Sequence, residues 1–190
     1  MKTKNSWATV PNALSFYRIL AFPVLIYTLI QSKESLFVIL IVINLITDIL
    51  DGVIARVFNQ ATEIGARLDS IADYGTYIAA IWGIFLFKWE VLEPHATSFF
   101  IFLGMFFMTI IVALVKFGRM PSLHLYSFKI GGYIQGFFFG ITFLFDFYLP
   151  LYYAMILWSL LAFTEHIAVQ LILPEMRSNA KGLYWVLKDK

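Results

Sequence analysis

The chain contains no cysteine, and only 14% of its 190 residues carry a charged side chain. The absence of cysteine excludes disulfides and thiolate metal sites. Charge is too scarce for the surface of an ordinary soluble domain, whereas 61% of the residues are hydrophobic. The mean hydropathy is +0.80, and internal repeats and low-complexity tracts are absent. This composition indicates an integral membrane protein.

Six apolar stretches are each long enough to cross a bilayer as a helix, which takes about 20 residues. They lie near residues 13–31, 36–57, 68–88, 97–116, 130–148 and 150–173. The sequence therefore predicts an all-α protein with six transmembrane helices, forming a single membrane domain over residues 1–190. Residues 1–12 are expected to form a short interfacial segment, with Trp7 at the level of the lipid headgroups.

Basic residues are distributed unevenly between the two sides that six spans would create. Twelve of the 14 lysines and arginines fall on the side of the two termini, and only Lys33 and Lys88 fall on the other. Because positive charge is enriched on the cytoplasmic side of membrane proteins, both termini are expected to face the cytoplasm. We expect a multi-pass protein of a cell inner membrane or plasma membrane.

Four aspartates interrupt the second and third apolar stretches, at positions 48, 51, 69 and 73. Ionisable groups inside a membrane cost several kcal/mol, so they seldom occur there without a partner or a cavity. At about 100° per residue, Asp48 and Asp51 share one face of the second helix. Asp69 and Asp73 lie one turn apart on the third helix. The loop between the two helices is short, so the two acidic faces are expected to meet near the cytoplasmic end.

Carboxylates alone, without histidine or cysteine, favour Mg²⁺, Mn²⁺ or Ca²⁺ over zinc. Four carboxylates can hold two such ions, and two ions commonly clamp a phosphoryl group during displacement. The alternative is a structural ion-pair network, in which Arg56 and Arg67 neutralise the acids. Two arginines cannot balance four aspartates, however. The sequence therefore predicts a divalent metal site that consists of Asp48, Asp51, Asp69 and Asp73.

Small and polar residues next to the acids suit a phosphorylated ligand. Gly52 and Ala55 share the face of the second-helix aspartates, and their size lets a ligand approach the helix backbone. Arg56 can pair with a phosphate oxygen. Thr62 precedes the third helix and can add a hydroxyl contact.

The spacing of these residues resembles the signature of a known family. From Asp48 to Asp73 the pattern is D-x2-D-G-x2-A-R-x8-G-x3-D-x3-D, which closely resembles that of the CDP-alcohol phosphotransferases, with every position filled. Residues Pro11 to Arg18 read P-N-A-L-S-x2-R, which is similar to the segment that opens the first span in many members and contributes to nucleotide binding. The predicted number of spans, six, and the predicted cytoplasmic position of the site are also similar to those of that family.

The resemblance implies transfer of a phosphatidyl group from CDP-diacylglycerol to a small alcohol, with release of CMP. It implies two metal ions, either Mg²⁺ or Mn²⁺, bound principally by Asp48, Asp51 and Asp69. Asp73 would be the general base and would also touch the second metal. The residues that would bind the CDP-lipid are Asn12, Ala13, Leu14, Ser15, Gly52, Ala55, Arg56 and Thr62. The protein is expected to form a homodimer and to contact membrane lipids. No nucleic acid is expected as a partner.

The acceptor alcohol is less well determined by the sequence. Lys116, Arg119 and Lys129 bracket a cytoplasmic loop and can form an anion pocket for a phosphorylated acceptor. The alternative is that they only obey the positive-inside rule. Glycerol 3-phosphate is the first expectation and inositol phosphate the nearest alternative. Donation from CDP-choline or CDP-ethanolamine to a lipid alcohol also stays open.

A few polar residues have no role in this interpretation. Ser122 and His124 lie in the same loop as the basic residues, and His124 can contact the acceptor or simply be solvated. Glu165 and His166 lie inside the sixth stretch, where a charge needs a partner. They can pair with polar residues of a neighbouring helix or face a central cavity.

A divalent-cation transporter is the alternative from another class, with the aspartates as its permeation site. The short chain, the absence of a detectable inverted repeat and the D-G-x2-A-R segment argue against it. An aspartate-rich prenyltransferase is less favoured because that class uses a larger bundle. A catalytically inactive scaffold is disfavoured because all four acids are intact.

Overall fold

The computed structural model describes residues 9–60, 62–119, 121, 123, 125–175 and 180–188. These residues form helices and no strand, which confirms the all-α prediction. The helices are α1 (Val10–Ile30), α2 (Glu34–Val57), α3 (Glu63–Phe87), α4 (Trp89–Leu92), α5 (Ala96–Phe117), α6 (Tyr126–Leu144), α7 (Leu149–Ile172) and α8 (Leu183–Lys188). A single 3₁₀ turn, Glu93–His95, precedes α5.

Five helical segments of the described chain are long and apolar enough to cross a membrane, which confirms the membrane class. They are Val10–Ile30, Glu34–Val57, Ile64–Phe87, Trp89–Phe117 and Leu149–Ile172. The fifth predicted span corresponds to α6, which has 19 residues and is not among these five. The count of six spans therefore stays a prediction. Residues 1–8, most of the predicted interfacial segment, lie outside the described residues.

The starts of α1 and α3 are capped by hydroxyl side chains. Thr9 Oγ1 accepts a hydrogen bond from the backbone N–H of Asn12 at 3.3 Å, and Pro11 occupies the first turn of α1. Thr62 Oγ1 accepts a hydrogen bond from the backbone N–H of Gly65 at 2.9 Å. Such caps satisfy backbone donors that a helix leaves unpaired at its start. The caps therefore fix the start of α1 just before Pro11 and the start of α3 just before Gly65.

The chain divides into two compact units. The first consists of Met1–Leu92 and Thr142–Asp146, and the second of Glu93–Ile141 and Phe147–Lys190. In the first unit α1 packs against both α2 and α3, around buried side chains that include Leu25, Phe37 and Ile84. All four aspartates belong to this unit. The prediction of one domain over residues 1–190 is not tested by this division.

In the second unit Glu165 is paired with the start of α8. Its Oε1 accepts a hydrogen bond from the backbone N–H of Leu183 at 2.8 Å, and its Oε2 accepts one from the hydroxyl of Ser127. His166 is only 2% exposed and lies against the ring of Phe128, with 5.0 Å between ring centroids. Glu165 thus has the partners that a carboxylate in an apolar helix requires.

Replacing Glu165 with alanine is expected to lower the melting temperature of the protein in detergent. The backbone N–H of Leu183 and the Ser127 hydroxyl, both partly buried, would lose their acceptor, and the cost of an unsatisfied donor reaches about 1–3 kcal/mol when it is fully buried. Thr164→Ala is the matched control, because the exposed Thr164 hydroxyl bonds only to the carbonyl of Leu160 in its own helix. Equal melting temperatures for the two variants would contradict a role for Glu165 in holding α8.

Candidate active site

The four aspartates converge on one buried guanidinium, that of Arg18 in α1. Arg18 Nη1 donates to Asp48 Oδ1 at 2.7 Å and to Asp73 Oδ1 at 2.8 Å. Arg18 Nη2 donates to Asp51 Oδ2 at 2.8 Å and to Asp69 Oδ1 at 2.5 Å. The Arg18 side chain is 0% exposed, whereas those of Asp48, Asp69 and Asp73 are 40%, 42% and 40% exposed. A buried cation thus holds together a cluster of carboxylates that remains open to its surroundings.

This role of Arg18 is the main functional feature that sequence reasoning missed. The sequence indicates for Arg18 only a positive charge at the cytoplasmic end of a helix and the last position of the P-N-A-L-S-x2-R segment. The available signal was its place inside an apolar helix, where a guanidinium needs acidic partners. Helical periodicity adds a second signal, because Arg18 shares a face of α1 with Ser15.

The ion-pair network differs from the one considered from the sequence. Arg56 Nε donates to the carbonyl of Gly52 in its own helix at 2.8 Å, and Arg67 is exposed. Among the described residues, neither arginine forms an ion pair with the four acids. Arg18 supplies one positive charge against four carboxylates, so three formal negative charges stay unbalanced. Repulsion between them would be relieved by a further cation.

The donor set fits a hard divalent metal ion. One carboxylate oxygen from each of Asp48, Asp51 and Asp69 lies within 4.8 Å of the others. Carboxylate oxygens without nitrogen or sulfur ligands suit Mg²⁺, Mn²⁺ or Ca²⁺. Asp73 lies outside this set of three and joins the cluster through Arg18 Nη1. The structure therefore brings the four predicted metal residues together, while the identity and number of ions stay predictions.

Polar residues at the start of α1 connect the acids to α3. The Ser15 hydroxyl lies 3.1 Å from Asp51 Oδ2 and 3.2 Å from the carbonyl of Pro11, so it can donate to either. The Thr62 hydroxyl donates to Asn12 Oδ1 at 3.3 Å. Asn12, Ser15 and Thr62 are all buried. The predicted donor-binding residues of two separate sequence segments thus lie in one hydrogen-bonded group.

Gly65 is a motif residue for which the sequence suggested no individual role. A Cβ atom at this position would collide with Asn12 Oδ1 and would lie 2.8 Å from Thr62 Oγ1. A side chain here would therefore displace the Asn12 and Thr62 side chains from their hydrogen bond. Glycine leaves the room that this pair of side chains occupies.

The remaining predicted donor residues differ in their surroundings. A Cβ atom at Gly52 would meet only the guanidinium of Arg56, at 3.7 Å, so this part of α2 is open. Ala55 is partly buried on the same face. Ala13 is exposed on the opposite side of α1 from Ser15, and Leu14 is partly buried. The side chain of Ala13 is therefore not part of the group around the acids.

The predicted acceptor residues belong to the second unit. Lys116 Nζ donates to the carbonyl of Leu171 at 2.6 Å, so it satisfies a carbonyl in the last turn of α7. Arg119 and Lys129 are exposed. Ser122 and His124 lie outside the described residues. A pocket for the acceptor at these positions stays a prediction.

Comparison with known proteins agrees with the motif. The model of the CDP-alcohol phosphatidyltransferase family matches residues 8–166. A CDP-diacylglycerol–glycerol-3-phosphate 3-phosphatidyltransferase of Aquifex aeolicus is 33% identical over 95 residues, which cover 50% of this chain and 52% of that protein. The enzyme of the same name from Rickettsia bellii is 43% identical over 67 residues, covering 34% and 37%.

A CMP-forming cardiolipin synthase of Homo sapiens is 41% identical over 71 residues, covering 37% of this chain and 23% of that protein. The chain therefore matches about half the length, or less, of these relatives. No solved structure matches the chain.

Proposed function

The chain belongs to the CDP-alcohol phosphatidyltransferase family, and we propose that it transfers a phosphatidyl group from CDP-diacylglycerol to a small alcohol. The convergence of four carboxylates beside the Asn12–Ser15 segment carries this proposal. We propose glycerol 3-phosphate as the acceptor, because two of the similar proteins are named for it. Cardiolipin formation is the second candidate, since another relative is named a cardiolipin synthase.

In the proposed reaction the acceptor oxygen attacks the phosphorus on the diacylglycerol side of the pyrophosphate. The bond from that phosphorus to the oxygen of CMP breaks, and CMP leaves with the bonding electrons. The hydroxyl proton passes to the carboxylate of Asp73, which acts as the general base. Asp73 suits this role because it is 40% exposed and lies outside the three-carboxylate set.

Asp48, Asp51 and Asp69 are proposed to hold the divalent metal, with Asp73 touching a second ion. Bound Mg²⁺ or Mn²⁺ would neutralise charge on the phosphate oxygens and on the departing CMP. Asn12, Ser15 and Thr62 are proposed to orient the CDP group, and Arg56 to pair with a phosphate oxygen. The open backbone at Gly52 admits the donor against α2.

Enlarging Ala55 to leucine is expected to raise the KM for CDP-diacylglycerol strongly. Ala55 shares a face of α2 with Asp48 and Gly52, and added volume there would exclude the donor. Ala154→Leu, at an exposed position of α7, is the control for adding the same volume to an apolar helix. If both variants keep the wild-type KM, this face of α2 does not contact the donor.

The function is tested by following CMP release from purified protein supplied with CDP-diacylglycerol and Mn²⁺ or Mg²⁺. The acceptors to be compared are glycerol 3-phosphate, inositol phosphate, phosphatidylglycerol, inositol and serine. We expect release with glycerol 3-phosphate. A preference for phosphorylated acceptors would indicate an anion-binding site for the acceptor. CMP release only from CDP-choline or CDP-ethanolamine with diacylglycerol would overturn the proposed direction of transfer.

We further propose a homodimer in a cell inner membrane or plasma membrane, with the acids and both termini on the cytoplasmic side. The orientation rests on the asymmetry of lysine and arginine across the spans. Reaction of a membrane-impermeant thiol reagent with a cysteine introduced in the α2–α3 loop tests it, because the natural chain has no cysteine.

A further inference from the structure

Each terminal nitrogen of Arg18 joins one carboxylate of α2 to one carboxylate of α3. Nη1 lies between Asp48 and Asp73, and Nη2 lies between Asp51 and Asp69. The two nitrogens therefore occupy two positions at which positive charge bridges the helices. A divalent ion held by these carboxylates would draw on the same oxygens. The guanidinium therefore occupies oxygens that a metal would need.

The position of the Arg18 guanidinium depends on its hydrogen bonds to the four carboxylates. Its Nε is buried and has no hydrogen-bond partner in the described part of the chain. The hydrogen bonds found for its guanidinium thus go to the four aspartates and not to a backbone carbonyl that would fix it in place. When another cation takes those oxygens, the guanidinium has no other hydrogen bond among the described residues to keep it in the cluster.

We propose that Arg18 is the resident counter-ion of the acid cluster and that divalent metal competes with it for the carboxylates. In the metal-free protein Arg18 holds the four mutually repelling acids together. Metal binding replaces some or all of these contacts, so the two cations oppose each other's binding. Such opposition is reciprocal, because a contact that weakens metal binding is itself weakened by the metal. The inference rests on the metal site of the proposed function.

The competition is tested by titrating Mn²⁺ into purified protein in detergent and measuring free Mn²⁺ by electron paramagnetic resonance. Arg18→Gln is expected to bind Mn²⁺ about tenfold more tightly than the wild type, or better. Arg18→Lys keeps the charge but cannot bridge four carboxylates as the planar fork does. Its affinity should lie between those of the other two proteins.

Thermal unfolding provides a second readout that does not depend on activity. Chelated Arg18→Gln should melt at a lower temperature than chelated wild type, because its four acids repel one another without a counter-ion. Saturating Mn²⁺ should raise the melting temperature of the variant more than that of the wild type.

Arg56→Gln is the matched control, because it removes a positive charge from α2, the helix that carries Asp48 and Asp51. Arg56 Nε bonds to the carbonyl of Gly52, so its loss should change Mn²⁺ affinity much less. An equal effect of Arg56→Gln and Arg18→Gln would reduce the result to general charge and overturn the inference. Unchanged or weaker Mn²⁺ binding by Arg18→Gln would overturn it as well.

Two further outcomes separate the inference from the proposed function. If neither the wild type nor any variant binds Mn²⁺ or Mg²⁺, the metal site itself is absent and the proposed function fails with it. If the wild type binds metal but the Arg18 variants bind it no more tightly, only the competition fails. Should Arg18→Gln not fold, Arg18→Lys decides the matter, because tighter binding at equal charge requires competition for the oxygens.

Discussion

Asp73→Asn is expected to lower turnover by about 10²–10⁴-fold, the range associated with loss of a general base. The asparagine oxygen can still accept the hydrogen bond that Asp73 Oδ1 receives from Arg18 Nη1 at 2.8 Å. The substitution therefore removes the basic oxygen while preserving the local contact. The KM for CDP-diacylglycerol should change little, because Asp73 lies outside the three-carboxylate set.

Steady-state assays of CMP release with varied donor and saturating acceptor separate these two effects. Ser70→Ala is a suitable control on the same helix, since the exposed Ser70 hydroxyl bonds to the carbonyl of Ala66. The control should retain turnover close to the wild-type rate. Near-normal turnover in Asp73→Asn would place the general base elsewhere.

Removal of divalent metal is expected to reduce CMP release to background, and adding Mg²⁺ or Mn²⁺ to the chelated protein should restore it. The physical reason is the charge of the site. Four carboxylates face one guanidinium, so the cluster repels a pyrophosphate unless further positive charge is bound. Full activity in exhaustively chelated protein would refute the metal site.

Single substitutions sharpen the same prediction. Asp48→Asn and Asp69→Asn should raise the metal concentration needed for half-maximal activity and should also weaken donor binding. Asp146→Asn is the control, because it removes an exposed carboxylate that belongs to neither the motif nor the acid cluster. A metal requirement equally altered in all three variants would indicate an effect of net charge alone.

The sequence was sufficient to predict the long helices and the convergence of the four aspartates, but not the short helices α4 and α8. Apolar runs long enough to cross a bilayer predict the transmembrane helices. The period of 3.6 residues places Asp48 and Asp51 on one face of α2, and Asp69 and Asp73 on one face of α3. The short loop after α2 makes the two helices neighbours. The helix at the fifth predicted span, α6, is less apolar than the others because Gly131, Gly132 and Gln135 interrupt its hydrophobic sequence.

The partners of Arg18 and Glu165 could not be read from spacing. Asp48 lies 30 residues from Arg18 and Asp73 lies 55 residues from it, and the rotation of α1 about its axis depends on packing with both other helices. One partner of Glu165 is the backbone N–H of Leu183, and a backbone partner cannot be predicted from the type of side chain. Side-chain periodicity describes a single helix, whereas these contacts arise from the assembly of several.

The pairing of Arg18 with acids on two later helices also has a consequence for biosynthesis. The arginine emerges from the ribosome 30 residues before Asp48 and 55 residues before Asp73. An arginine within an apolar helix opposes translocon insertion, by up to roughly 2.5–3.5 kcal/mol at the helix centre. Until its partners are made, α1 can keep this charge at the interface by snorkelling. We therefore expect α1 to reach its final depth only after α3 has been synthesised, so that α1, α2 and α3 integrate into the membrane together.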